Sequence, residues 1–169
     1  MAESFLTLMT DYCEEDQLRI AQWYDALQAA GFTGTQTPGL PFHISLATFP
    51  LEAEAAAAAL TRRVAERFAP LEVDIRHVGI FTGGKVLFAA PDMGPSLVAL
   101  QAACESPLVN GHPWTPHTTL LIDQPEVIGA AVPVLMQRFT PLRARIDRLH
   151  LCAFWPTREI LRVPLAGKE

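Results

Sequence analysis

Residues 4–11, SFLTLMTD, alternate in polarity and are rich in apolar side chains, which predicts a strand. Over 14–32 the period changes. Leu18, Ala21, Trp23, Leu27 and Ala30 fall near helical spacing, and Gly31 is placed to end the helix. A turn-rich stretch, 33–41, leads to the strand HISLATF (43–49), and 52–68 is a strong helix former throughout. Strands at 71–81 and 85–90 are joined through Gly83 and Gly84, a hairpin signal. A short apolar helix (96–106), a loop, and the strand HTTLLI (117–122) follow. A helix at 126–139, with a weak point at Pro133, and strands at 142–154 and 159–165 close the chain.

These elements repeat. Strand, helix, motif strand, helix and strand run once over 4–81 and again over 85–154, with 159–165 as an extra strand. RFAPL (67–71) matches RFTPL (138–142), and HVGIF (77–81) matches HLCAF (150–154). The expected fold class is therefore α+β, with helices covering one face of each sheet. The expected organisation is a single domain, 1–169, of two pseudo-symmetric lobes.

Composition narrows the class. Half of the 169 residues are hydrophobic and 18% are charged, a globular composition. No apolar run approaches the ~18 residues of a membrane helix, and the acidic N-terminus does not resemble a signal peptide. Cys13, Cys104 and Cys152 are odd in number without a CxxC pair, which predicts packing thiols in a reduced, cytoplasmic protein. The net charge of −5 argues against duplex nucleic acid as a partner but leaves room for a small phosphorylated ligand. Five scattered histidines show no metal-ligand spacing, and no G-x-S-x-G elbow is present, so no metal, cofactor or serine nucleophile is expected.

The two motif strands bear the chemistry. Strand residues two apart share a face, so His43, Ser45, Ala47 and Phe49 are expected together, as are His117, Thr119 and Leu121. Ile44, Leu46, Thr48, Thr118, Leu120 and Ile122 are expected on the opposite, helix-packed sides. A pseudo-twofold axis would bring two imidazoles and two hydroxyls across one groove. One neutral imidazole can take a proton from water or a ribose hydroxyl while the other, as imidazolium, can protonate the leaving oxygen. Ser45 and Thr119 can hold the nonbridging phosphate oxygens. Phe49, Phe81, Phe154 and Trp155 suit base stacking or the core, and Trp114 suits the groove wall or a loop staple. His77 and His150, at matching repeat positions, suit the groove or a bond to a neighbouring carbonyl. His112 is expected in a solvated loop. Arg76, Arg143 and Arg145 suit phosphate contact or a solvated face.

The paired H-x-[ST]-L motifs, about 75 residues apart by subtraction in a duplicated chain, resemble the two-histidine phosphoesterase superfamily, its 2′-5′ RNA ligase-like, cyclic nucleotide phosphodiesterase branch. The resemblance spans nearly the whole chain, including HVGIF before KVLFAAP and WTPHTTL around the second motif. It implies a bilobal α+β fold with two antiparallel-rich sheets flanking a central groove, catalytic His43 and His117, and phosphate-binding Ser45 and Thr119. It further implies metal-free hydrolysis of a cyclic phosphate, such as a nucleoside or oligonucleotide 2′,3′-cyclic phosphate. The basic residue that some RNA-processing relatives place after the second motif is replaced here by Leu121, Ile122 and Asp123. That favours small cyclic phosphates over long RNA. The alternatives are a non-catalytic nucleotide-binding module, or a phosphodiesterase for a non-RNA cyclic phosphate or a 2′-5′ linkage.

Overall fold

The computed structural model describes residues 4–34, 39–106, 108–109 and 112–168. Parts of the two loops expected before the motif strands therefore lie outside the described residues. The elements are β1 (Phe5–Tyr12), α1 (Glu14–Ala29), β2 (His43–Pro50), α2 (Glu54–Arg67), β3 (Leu71–Ile80), β4 (Val86–Pro91), α3 (Pro95–Ala103), β5 (Leu108–Val109), β6 (His112–Pro113), β7 (Thr118–Ile122), α4 (Pro125–Arg138), β8 (Leu142–Phe154) and β9 (Arg158–Pro164). Helix α1 stops earlier than its periodicity suggests. The Phe32 and Gly31 N–H groups turn back to the Leu27 and Gln28 carbonyls, each at 3.0 Å, and cap the last turn. Helix α4 continues through Pro133. It forfeits one helical hydrogen bond there, but Ile128, Ala131 and Leu135 anchor it in the core. Strands β5 and β6, a two-residue pair inside the expected loop, have no periodicity to announce them.

All pairings are antiparallel, and the main sheet runs β2-β1-β8-β3-β4-β7 with β9 also on β8. The expectation of two separate sheets is corrected: seven strands form one connected sheet. The reason is the length of β8, 13 residues. Its residues from Ile146 onward pair with β1, and those from Leu142 to Ile146 pair with β3. The third strand of each sequence repeat thus lies beside the first strand of the other: β8 beside β1, and β3 beside β4.

One apolar cluster fixes the layers. It takes Ile20, Trp23 and Leu27 from α1, Leu60 and Val64 from α2, Leu97 and Leu100 from α3, and Ile128 and Leu135 from α4. From the strands it takes Leu6, Leu8, Ile44, Leu46, Leu87, Leu120, Leu149 and Leu151. All four helices therefore pack on one side of the sheet. The alternate strand positions, including Met9, His43, Ser45, Phe88, His150 and Cys152, form the other, open face. There Met9, Cys152 and Phe154 make a separate small cluster with Phe5 and Leu40 packed against it.

The β3–β4 hairpin turns on Gly83 (φ 96°) and Gly84 (φ 69°), closed by the Gly84 N–H on the Phe81 carbonyl at 2.9 Å. Gly83 occupies the third position of that turn, where positive φ selects glycine or asparagine. Gly83→Ala is expected to lower stability by about 1–2 kcal/mol, and Gly83→Asn by less. Urea midpoints at unchanged slope would measure this.

Candidate active site

The two motif strands share one irregularity. Met9 pairs with Ser45 but Leu8 pairs with Ala47, so Leu46 is an extra residue in β2. Phe88 pairs with Thr119 but Leu87 pairs with Leu121, so Leu120 is an extra residue in β7. Each β-bulge falls on the leucine of H-x-[ST]-L. Both residues following the Ser or Thr then turn toward the helices, and Leu46, Ala47, Leu120 and Leu121 are all in the core. This corrects the strict alternation expected from sequence. Ala47, Phe49 and Leu121 leave the histidine face, whereas Thr48 and Ile122 join it. Phe49 packs against the main core, away from any ligand on the open face.

His43 and His117 are held alike. His43 Nδ1 lies 2.8 Å from the Pro41 carbonyl, and His117 Nδ1 lies 2.8 Å from the Thr115 carbonyl. A carbonyl only accepts, so in each ring Nδ1 carries the proton and Nε2 is left for chemistry. Both bonds reach back two residues. The chain turns extended just ahead of each motif, at Pro41 and Pro116, where proline cannot donate a competing N–H.

A buried hydroxyl chain joins the two motifs. Thr118, next to His117, donates Oγ1–H to the His43 carbonyl at 3.1 Å. The Tyr12 hydroxyl, 2.7 Å from the same Oγ1, must then be the donor to it. Tyr12 and Thr118 are each 1% exposed. A further clamp holds the first motif from behind: Gln17 Nε2 donates to the Phe42 carbonyl at 2.7 Å, and Gln17 Oε1 accepts the Phe42 N–H at 2.8 Å. Trp114 Nε1 donates to the Ser45 carbonyl at 2.8 Å, so this ring staples the approach to the second motif onto the first motif strand.

The imidazoles sit in unequal surroundings. Burial lowers the pKa of both. For His43 the Pro41 carbonyl and the Asp11 carboxylate push upward against that, and His150 pushes down. For His117 the Thr115 carbonyl pushes up and His43 pushes down. His117 is walled by Phe81, edge-on at 4.6 Å between ring centres, and by Phe88 at 5.3 Å. Gly79 makes room for that wall, since a Cβ there would lie 2.5 Å from Phe88 Cζ.

The remaining sequence candidates scatter. His77 is largely exposed and bonds Asp92 at 2.8 Å, whereas His150 is fully buried. Their match in the repeat does not survive in the register. His77 pairs with Ala90, two residues beyond Phe88, but His150 pairs with Met9, the counterpart of Phe88. Trp155 is 50% exposed beside Phe154, which is buried and stacked on Phe5. Arg143 pairs with Glu72, and Arg76 reaches Asp74 and Asp92. Burial pushes the Cys104 and Cys152 thiols up to about 12 and about 11, so both stay protonated. Among the described residues, no three His, Cys, Asp or Glu side chains gather as metal ligands, and no helix is long and apolar enough to cross a membrane.

Sequence reasoning missed Tyr12, Thr118, Phe88 and Asp11. The available signals were an Asp-Tyr pair closing an otherwise apolar strand, a threonine on an apolar face, and a strand glycine, which marks a close approach.

A sequence model described as the 2′-5′ RNA ligase superfamily matches residues 16–154. No curated protein sequence matches the chain significantly. Solved structures of several proteins share the fold. The chain is similar to E. coli LigT complexed with 3′-AMP at 19% identity and TM-score 0.64, over 96% of this chain and 98% of that one. It is similar to TT0787 of Thermus thermophilus at 17% identity and TM-score 0.67, over 98% and 100%. It is similar to Kluyveromyces marxianus Usb1 at 15% identity and TM-score 0.54, over 95% and 98%.

The hydroxyl chain makes a quantitative expectation. Thr118→Val orphans both the Tyr12 hydroxyl and the His43 carbonyl and is expected to cost about 2–3 kcal/mol, against about 1 kcal/mol for Tyr12→Phe. The double variant is expected to cost less than the sum, a coupling readable in a urea double-mutant cycle.

Proposed function

The chain belongs to the 2′-5′ RNA ligase superfamily, and on that premise we propose that it is a metal-independent phosphodiesterase that opens a cyclic phosphate by two-histidine acid/base catalysis. The substrate class is a nucleoside or oligonucleotide 2′,3′-cyclic phosphate. One observation supports this above others: two imidazoles on adjoining motif strands, each with Nδ1–H bonded to the carbonyl two residues back. That geometry gives two Nε2 atoms equivalent in form and available for proton transfer.

In this reading one Nε2 removes a proton from water as its oxygen attacks phosphorus. The other Nε2–H delivers its proton to the ribose oxygen as the P–O bond breaks. Ser45 and Thr119, one pleat beyond each histidine, bind the nonbridging oxygens and hold phosphorus in line. The Phe81 and Phe88 rings beside His117 exclude water from one side and offer a face for a base or ribose. Phe49 has no part, because it faces the core. The solved LigT structures complexed with 3′-AMP, ATP, NADP+ and phosphate support a small phosphorylated ligand. The chain's net charge of −5 supports the same preference over long RNA.

His43→Ala and His117→Ala are each expected to reduce turnover of a 2′,3′-cyclic nucleotide by about 10²–10⁴-fold with the fold retained by circular dichroism. Phosphorus NMR would identify the monoester formed. Full activity in both variants would overturn the mechanism, and tight binding of nucleotides without turnover of any cyclic phosphate would make the protein a binding module. Activity is expected to persist in EDTA.

A pH dependence follows from burial. Both imidazoles are held below their ordinary value of about 6.5. The bell-shaped kcat/KM profile, which needs one neutral and one protonated ring, is expected to peak below about pH 6.5. The same depression has a sign for stability. The unfolded chain binds the extra protons first, so this contribution is full above about pH 6.5 and is lost as pH falls toward the folded values. Urea midpoints between pH 7 and pH 5 would show the fall.

A further inference from the structure

We propose that Asp11, a residue of neither motif, divides the labour between the two histidines, making His43 the proton donor and His117 the proton acceptor. This rests on the phosphodiesterase reading above.

Asp11 stands directly opposite His43 in the β1–β2 register, on the open face. The corresponding position in β4 is Ala90, since Phe88 opposite Thr119 answers Met9 opposite Ser45, and Ala90 lies two residues further along, as Asp11 does. At this position the near-symmetry of the site is broken by a carboxylate. Asp11 is 1% exposed, and neither of its carboxylate oxygens has a hydrogen bond among the described residues. His150 Nδ1 at 3.2 Å and Arg162 Nε at 3.8 Å are near enough to attract, but not aligned to bond. A desolvated carboxylate in this state exerts its field on neighbouring cations with little screening.

Every element around His43 bears on the balance. Strand β1 supplies Asp11 and β7 leads out of His117. Strand β8 supplies His150 and Arg148, and β9 supplies Glu159 and Arg162. Arg148 is engaged by Asp147 at 2.7 Å, and Arg162 by Glu159 at 2.9 Å. His150 Nε2 also lies 3.2 Å from Glu159. The two arginines are therefore matched by carboxylates of their own, which leaves Asp11 and His150 to act on His43. Around His117 the neighbours are the uncharged rings of Phe81 and Phe88, and among the described residues the one charge acting on it is that of His43.

The consequence is a directed reaction. His117 Nε2 takes the proton of the attacking water while the oxygen–phosphorus bond forms. His43 Nε2–H gives its proton to the departing ribose oxygen as that P–O bond breaks. Water is consumed across one bond, and the two rings exchange their protonation through solvent before the next turnover. Asp11 touches no reacting atom in this scheme. It is a positioning residue that acts through His43.

Three measurements test this. Proton NMR titration of the resting protein needs no substrate, and His43 is expected to keep its proton to higher pH than His117. In Asp11→Asn the His43 midpoint is expected to fall by about one pH unit while that of His117 stays within a few tenths of a unit. A nitrophenyl phosphodiester probe, whose leaving group needs no proton, separates the acid from the base. His43→Ala is expected to stay within about tenfold of wild type on that probe yet lose at least about 100-fold on the cyclic phosphate, and His117→Ala to lose on both. Asp11→Asn is expected to move the basic limb of the cyclic-phosphate profile to lower pH and leave the acidic limb in place. The proposal is overturned if His117 holds its proton longer, if His117→Ala is the variant spared on the aryl probe, or if Asp11→Asn leaves the basic limb unmoved. Should Asp11→Asn fail to fold, the wild-type titration and the two alanine variants decide the assignment. Absence of turnover on every cyclic phosphate would count against the phosphodiesterase reading, while the NMR order would still judge the role of Asp11.

Discussion

The Thr118 hydroxyl, donating to the His43 carbonyl and accepting from Tyr12, is the contact on which the site depends. The motif strands lie at opposite ends of the β2-β1-β8-β3-β4-β7 path and, among the described residues, have no ladder between them. Backbone pairing alone would leave His43 and His117 positioned by separate strands. The buried hydroxyl replaces the missing ladder at one point, and both hydroxyl-bearing side chains are out of water. Such a bond is worth little net, but breaking it leaves polar atoms with no substitute partner. That asymmetry makes the juxtaposition rigid.

The bulges at Leu46 and Leu120 perform the complementary task. A regular strand carrying His, then Ser or Thr, would continue onto the open face with a third and fourth side chain. The extra leucine instead turns two successive residues into the core after the hydroxyl, before the strand resumes its alternation. Each motif thus exposes one imidazole and one hydroxyl, then anchors itself with apolar residues under the helices. The leucine in H-x-[ST]-L is therefore structural, and its effect is to change what the open face displays next, Thr48 in place of Ala47 and Ile122 in place of Leu121.

Proton affinity in the site is set by burial together with unlike neighbours. Both rings lose hydration and are pushed toward the neutral form, yet their surroundings differ. The His43 side rests on a polar cluster, Asp11, His150, Glu159 and Arg162, arranged across β1, β8 and β9. The His117 side rests on aromatic carbon, accommodated by the missing side chain at Gly79. Similar backbone frames present the same motif to two different media. In such a frame, small changes of side chain can alter proton affinity without moving the imidazoles.

The order and type of the four helices and of the seven main-sheet strands were legible from periodicity, helix propensity and turn residues, whereas the two-residue β5 and β6 were not. The histidine–hydroxyl pairs were legible too, since residues two apart in a strand share a face whatever the partner strand does. Local pattern could not reveal the register. Phe49 and Leu121 point the wrong way for a strict alternation because the bulge is defined by pairing with β1 and β4, strands distant in sequence. The likeness of His77 to His150 dissolved for the same reason, as pairing gives them different neighbours. Two sheets became one because β8 is long enough to serve both ends. Asp11 and Tyr12 gained their significance only from the residues folded against them. Sequence by itself determined which segments form and which side chains could do chemistry. Tertiary structure decided which of those side chains share a face, because cross-strand contact is a property of the partner strand and not of the segment that bears the motif.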